Sequence, residues 1–333
     1  MAMLIALPIL LLVLFGYAAS FNIDHIITQV LGPGAEEVAK QLPGQFEVTK
    51  VDPSGTQVDA RSTLKDGRAN VVVVTSSGEA PVALADGSQL FAAQAAVSAF
   101  ARAMPPVKTE VLFNPELKTS WVMVPALAGL IIAFIGTIIT SLGLVRERQA
   151  GTLEQLAVMP LAPSDVIVGK IAPYFLLACV DMTAVTVLGV VLFGVPFNGS
   201  VALFALGAVL FLCVVLGVGV LISTSSQNQG QAIQTAILVL LPQILMSGMI
   251  FPLAAMPWAI RWIGYVLPLT WFTVIDRGVM LRGESLSGLW PAYLVLAVMA
   301  VVVLGAAILR LSRDLAPSAG RRSAPRPVPE PAR

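Results

Sequence analysis

Residues 121–150 read WVMVPALAGLIIAFIGTIITSLGLVRERQA, a run with no charge from Trp121 to Leu144 that stops on Arg146, Glu147 and Arg148. About 20 apolar residues in helical form cross the hydrocarbon core of a bilayer, so this stretch reads as a membrane span. The basic cluster at its end marks the face where it leaves the membrane. Working outward, five further runs have the same character: Met1 to Ala19, Ile171 to Gly194, Val201 to Ile222, Ala232 to Phe251 and Trp290 to Leu309. Only Ile171 to Gly194 contains a charge, Asp181. The first run has a rival reading as a signal peptide, but it lacks a basic lead and continues to Ala19 without a pause, so it is taken as a span.

Composition points the same way. The chain is 57% hydrophobic and 12% charged, with mean hydropathy +0.86. A soluble domain carries about 25% charged residues. A soluble enzyme, a disordered chain and an electrostatic nucleic-acid binder are thereby excluded. Twenty basic against nineteen acidic residues leave a net charge of +1, too little to attract a polyanion. Cys179 and Cys213 lie inside apolar runs and form no disulfide framework. A single histidine, His25, cannot build a His-rich metal site.

The charges are concentrated in one place. Between Ser20 and Trp121 lie 8 Lys/Arg and 11 Asp/Glu, a local net charge of 8 − 11 = −3, so this segment faces water. Arg146, Arg148 and Lys170 lie between the second and third runs, and Arg310, Arg313, Arg321, Arg322, Arg326 and Arg333 follow the sixth. Basic residues in short flanks stay cytoplasmic. With six spans both groups fall on one side, which places both termini in the cytoplasm and residues 20–120 outside. Arg261, Arg277 and Arg282 oppose this from the other side. The expected fold is an all-α integral membrane protein of six transmembrane helices with re-entrant outer helices between spans five and six. A small extracytoplasmic α/β domain sits between spans one and two. The divisions are 1–19 (first span), 20–120 (outer domain), 121–310 (five-span body) and 311–333 (disordered cytoplasmic tail).

Within the outer domain, GAEEVAKQL, DARSTLKDG and QLFAAQAAVSAFARAM read as helices, and FEVTKV, ANVVVVT and PVALAD as strands. No nucleotide loop, nucleophile elbow or metal-ligand spacing occurs there; a structural cap or partner surface is weighed against a substrate-selecting role. After the fifth run, Pro252, Pro257 and Pro268 break an apolar stretch rich in Trp258, Trp262, Tyr265 and Trp271, an interfacial composition. Two half-helices dipping into the outer leaflet would bring Arg261 and Asp276 within reach of each other. A loop lying flat on the membrane is the alternative.

Between the second and third runs the sequence is LVRERQAGTLEQLAVMPLAPSDVIVGKIAPY. Thr152 and Gln155 have the spacing of a capping box, and Leu153, Leu156 and Ala157 share one face of the short helix, 151–159, that follows. Pro160 and Pro163 end it. Such a helix suits docking into a groove on a soluble partner, or lying at the membrane surface.

These residues carry a family resemblance. LFNPELKTSWVMVPAL, VRERQAGTLEQLAVMPLAPSDVIVGKIAPY, LGVGVLISTSSQNQGQA, SGMIFPLAAMPWAIRWIGYVLPLTWF and RGVMLRG, in that order from Val111 to Leu315, resemble the membrane subunits of type-2 ABC transporters. The nearer likeness is to the bacterial multidrug and antibiotic exporter branch with a large outer domain. The resemblance implies a permease of the bacterial inner membrane, energised by separate ABC ATPase subunits that hold ATP and Mg, with no cofactor in this chain. It implies a second permease copy or a paralogue, with membrane lipid around the pair. It implies that Glu147, Arg148, Gly151, Thr152, Leu153, Glu154, Gln155 and Leu156 dock on the ATPase. It further implies that spans two and five line the path and that the broken segment is re-entrant. The resemblance leads one to expect an amphipathic elbow helix before span one, and on this reading Met1 already lies inside the span.

Other signals are weaker. Gly169-Lys170 superficially matches the end of a phosphate loop, but Ile171 replaces the required Ser/Thr and Ser164 the first Gly. Asn198-Gly199-Ser200 forms a glycosylation triplet of a kind common by chance. Asp181 is a functional suspect as an intramembrane charge, with a structural partner such as Gln234 or Gln243 as the alternative to substrate contact. Gly217 and Gly219 read as close helix packing. The leading function is the permease of an exporter of amphiphiles such as drugs, antibiotics or lipids. An ion-coupled transporter would need paired intramembrane charges and internal repeats. A membrane-tethered binding module acting through its outer domain is the further rival, and a membrane enzyme finds no catalytic constellation.

Overall fold

The computed structural model describes residues 25–103, 107–150 and 163–315. The first run, the loop carrying Gly151, Thr152, Leu153, Glu154, Gln155 and Leu156, and the segment after 315 lie outside the described residues.

The N-terminal part is an α/β unit of order β1 (Ile26–Leu31), α1 (Ala35–Gln41), β2 (Phe46–Asp52), α2 (Gln57–Lys65), β3 (Val71–Val74), β4 (Val82–Asp86), α3 (Leu90–Ala103) and β5 (Lys108–Leu112). The five-stranded sheet runs β2-β1-β3-β4-β5, parallel except for β3 against β4. All four residues of β3 are buried, because helices cover both faces of the central strands. Ile26, Val30, Val71, Val73 and Ala85 pack on Ala93, Ala96 and Phe100 of α3, while Val72 and Leu84 meet Ala60 and Leu64 of α2. A capping box between Thr56 and Asp59 starts α2. Gly32, at φ 101°, passes so close to the Thr75 carbonyl that a Cβ would lie 2.1 Å from its oxygen. The strands β1 and β5 were not foreseen.

The rest is helical: α4 (Thr119–Gln149), α5 (Pro163–Phe193), α6 (Val201–Ser225), α7 (Gln229–Met246), α8 (Trp258–Val266), α9 (Pro268–Arg277) and α10 (Leu286–Leu315). Five of these, α4, α5, α6, α7 and α10, are long and apolar enough to cross a membrane. Small residues mark the close helix contacts. On α4 Ala126, Gly129, Ala133, Gly136 and Thr140 are buried beside the larger Ile132 and Leu144, while Leu127, Ile131, Ile135 and Ile139 stand outside. Without water to drive large side chains inward, helices in lipid associate by close backbone approach. A Cβ on Gly129 would lie 2.7 Å from Phe272 of α9, and one on Gly219 of α6 would lie 2.8 Å from Thr140. Phe272 in turn stacks on Phe211 of α6, ring centres 4.5 Å apart.

Two boundaries depart from expectation. The fifth run stops as a helix at Met246, because Ser247 leads into Gly248 at φ 78°, so the stretch to Phe251 is irregular. The last helix runs on to Leu315, so 311–315 belongs to α10 and not to a disordered tail; after Pro291, near its start, the next Pro is Pro317. After Pro252 comes a 3-10 turn (Leu253–Ala255), then α8 after Pro257 and α9 with Pro268 in its first turn. A single π turn (Gly278–Arg282) joins α9 to the start of α10.

Candidate functional site

The helix α4 is fastened at both ends. At the α/β end it starts from the turn Phe113–Leu117, in which both Phe113 (φ 67°) and Leu117 (φ 49°) are left-handed without being glycine. Such residues cost on the order of 1–3 kcal/mol each and persist only where the surroundings impose them. Buried Asn114 does so: its Oδ1 accepts from Lys118 N (2.9 Å), and its Nδ2 donates to the carbonyls of Lys118 (3.1 Å) and Gly87 (3.4 Å). The LFNPELK phrase is therefore a hinge post between β5 and α4.

Beside it, the π turn after α9 delivers Arg282 into the α/β unit. Its side chain is 4% exposed. The Nη1 meets Asp86 Oδ2 at 3.5 Å and Ser88 Oγ at 3.2 Å, and the Nε donates to Glu284 Oε2 at 3.1 Å. Asp86 also accepts from Ser88 N (2.9 Å) and Oγ (2.6 Å). Burial pushes the Asp86 carboxyl up, and the Arg282 charge opposes that push. Asn198, of the glycosylation triplet, uses its amide to hold the same turn through Leu281 O at 2.8 Å.

At the opposite end Arg148 reaches from α4 to the last carbonyls of α6. Its Nη1 donates to Ser223 O (3.4 Å), Thr224 O (3.4 Å) and Ser226 O (3.3 Å). A cation at a helix C-terminus satisfies orphan carbonyls and the helix dipole together. Arg146 Nε donates to Gln229 Oε1 (3.2 Å), and Gln229 Nε2 to Gln149 Oε1 (3.1 Å), so the first turn of α7 is tied in as well. Glu147 and Arg148 thus stand where α4, α6 and α7 converge and where the chain leaves for 151–162.

The remaining candidates separate. Asp181, half-buried on α5, borders a small notch with Thr140 and Tyr174. Helix α5 packs chiefly on α4, α6 and α10, so Gln234 and Gln243 of α7 are not its partners. Gln234 is exposed, and Gln243 is buried with its Oε1 unbonded. Arg261 does not meet Asp276, contrary to expectation: it folds back to the carbonyls of Ala254 (2.8 Å) and Met256 (2.9 Å) and so closes the 3-10 turn. Asp276 is buried against Val124, Gly189 and Val195, with neither carboxyl oxygen hydrogen-bonded. Among the described residues no group of His, Cys, Asp and Glu could hold a metal ion. Arg282, Asp86 and Asn114 were not singled out from sequence; Asn114 sat inside a phrase that was, as did Arg282.

Comparison with known proteins completes the description. The family model described as ABC-2 family transporter protein matches residues 1–309. The chain is 34% identical over 189 residues to the probable multidrug ABC transporter permease YbhR of Escherichia coli (strain K12), covering 56% of this chain and 51% of that protein. It is 33% identical over 210 residues to the probable multidrug ABC transporter permease YbhS of the same strain, covering 63% and 56%. Against the inner membrane transport permease YhhJ, also of that strain, it is 31% identical over 212 residues, again covering 63% and 56%. The matched stretch spans about half the length of these relatives.

Proposed function

The chain belongs to the ABC-2 family of transporter proteins, and from that premise we propose that it is the permease subunit of an ATP-driven exporter. Separate ABC ATPase subunits, holding ATP and Mg, would supply the energy, and a second permease copy or a paralogue would complete the path. The cargo is an amphiphile, a drug, antibiotic or lipid, in keeping with relatives named as multidrug permeases. The run at 1–19 supplies a sixth span beside the five described, both termini lie in the cytoplasm of a bacterial inner membrane, and residues 20–120 lie outside. Helices α8 and α9 are re-entrant from that outer side, with Trp258, Trp262 and Trp290 exposed at the level of the headgroups. Spans α4 and α7 line the path.

The family match over 1–309 carries this reading. The packing supplies a mechanism consistent with it. ATPase closure would act on Glu147, Arg148 and the segment Gly151 to Leu156. A helix of 31 residues is about 46 Å long at 1.5 Å per residue, so α4 conveys such a push from the loop to the α/β unit as a rod. Through Arg148 the same push reaches the ends of α6 and α7.

The topology is tested with Ser77, exposed on a turn of the α/β unit. In Ser77→Cys, an impermeant thiol reagent should label intact cells. Labelling only after lysis would invert the arrangement. The division of labour has its own test: the purified chain alone should hydrolyse no ATP above background.

A further inference from the structure

A cavity of about 190 Å³ lies between the α/β unit and the broken segment. Leu90 and Phe91 of α3, Ser247 and Leu253 after α7, and Val274 and Arg277 of α9 form much of its wall. Two buried donors there have no protein partner, the Ser247 hydroxyl and the Arg277 Nε. Arg277 Nη2 reaches only the carbonyls of Gly248 (3.5 Å) and Met249 (3.4 Å). No carboxylate among the described residues stands within ion-pair distance of it.

The nearby charges are otherwise engaged. Arg282, on the same wall, is held by Asp86 and Glu284. Asp276 faces the other side of α9. His25, which lines both this cavity and the groove beside it, pairs loosely at 3.8 Å with Glu47 of the groove. Arg277 is thus a buried cation that Asp276 and Asp86 act on only through space, with no carboxylate in contact with it, a costly arrangement unless something supplies one. A guanidinium presents a planar fork that matches carboxylate and phosphate oxygens.

Size and continuity define the rest of the ligand. A cavity of about 150 Å³ holds a benzene ring, so this one takes an oxyanion and a few carbons. It shares His25, Asn70 and Ala254 with a wider groove of about 670 Å³, where Trp258 and Tyr265 present exposed rings. We propose that the cavity binds the oxyanionic headgroup, carboxylate or phosphate, of an amphiphile. Arg277 pairs the charge, Ser247 donates a further hydrogen bond, and the apolar chain runs out along Trp258 and Tyr265. The site stands on residues of this chain; only its placement on the outer side rests on the transport reading.

The test uses the full chain in nanodiscs of zwitterionic lipid, with empty discs subtracted, and reads tryptophan fluorescence during titration. Dodecyl phosphate and dodecanoate should bind saturably, and dodecyltrimethylammonium should not. Arg277→Gln should weaken dodecyl phosphate about tenfold or more, as loss of a charge-assisted contact does, and Ser247→Ala by less. Val274→Trp fills the mouth from a position 40% exposed, leaves the buried charges alone, and should abolish binding even if Arg277→Gln fails to fold. Unchanged affinity in Val274→Trp, or in a folded Arg277→Gln, overturns the proposal. Inorganic phosphate binding as tightly as dodecyl phosphate would overturn the amphiphile and leave a free-anion site. No arm involves an ATPase, so failure here and failure of the transport reading are read separately.

Discussion

The two ends of α4 are fastened by opposite means. At the α/β end the contacts are buried: Arg282 and its carboxylates are nearly inaccessible, and Asn114 is fully covered. At the other end the contacts are polar and partly solvated, with Arg148 spread over three carbonyls at 3.3–3.4 Å and glutamines laced at the surface. A buried ion pair is costly to separate once made, because each charge left behind lacks water. Solvated carbonyl contacts exchange readily for water. One end is built to remain closed while the other can rearrange, in keeping with the proposed ATPase contact at the second.

The sharpest way to break the contrast is Arg282→Met, which leaves Asp86 and Glu284 buried without a cation. Removing one partner of such a set costs about 3–5 kcal/mol. Thermal unfolding of the solubilised chain should show that loss, with early proteolysis at the α/β junction. Adding Asp86→Asn and Glu284→Gln should restore most of it; failure to restore would mean the cluster is not acting as a set. Asn114→Ala should cost less, roughly 1–3 kcal/mol, for a buried carbonyl and backbone donor left unpaired. Its mark would be faster hydrogen exchange at Phe113–Leu117.

Arg148→Ala should cost about 1–2 kcal/mol, since its hydrogen bonds are long and only partly buried. The expected signature is a transport defect larger than the stability defect. If stability falls as far as in Arg282→Met, the two ends are not different in kind. The smallest effect belongs to Asp52, where hydrogen bonds from Ser54 and then Lys50 hold the carboxyl at about 2, below the usual 3.8. A depressed folded value means the contribution is present above 3.8 and lost as pH falls through about 2. Asp52→Asn should therefore flatten the acid limb of the melting-temperature profile slightly, by removing a small contribution that is present at pH 7 and already absent in strong acid.

How much of this was legible depended on whether the signal was local. The valines of β3 announce a buried strand, and Gly217 and Gly219 announce close packing because nothing larger fits: Cβ atoms there would come within 2.8 Å of Val303 and Thr140. The strand β5, KTEVL, is an edge with Lys108 and Glu110 exposed, and it lacks the apolar density that marks a core strand. Six residues separate β1 from the first apolar run, and the strand is only six residues long, too short to show a clear period of two. The pairing of Arg282 with Asp86 joins positions 196 residues apart and leaves no periodic trace. Arg261 and Asp276 share a proline-broken segment, yet separate helices turn Arg261 to backbone carbonyls and Asp276 against apolar side chains.

The most direct test of an external motor acting at the far end is Leu156→Asp in the tagged chain, expressed in its own cells, with bound ATPase quantified beside export. If the proposed docking holds, the substitution would bury an unpaired charge against the ATPase, at a position outside the membrane helices. Normal insertion with lost ATPase copurification and lost export is the predicted result. Full copurification and unchanged export would contradict it, and would reduce the 151–159 segment to a helix lying on the membrane.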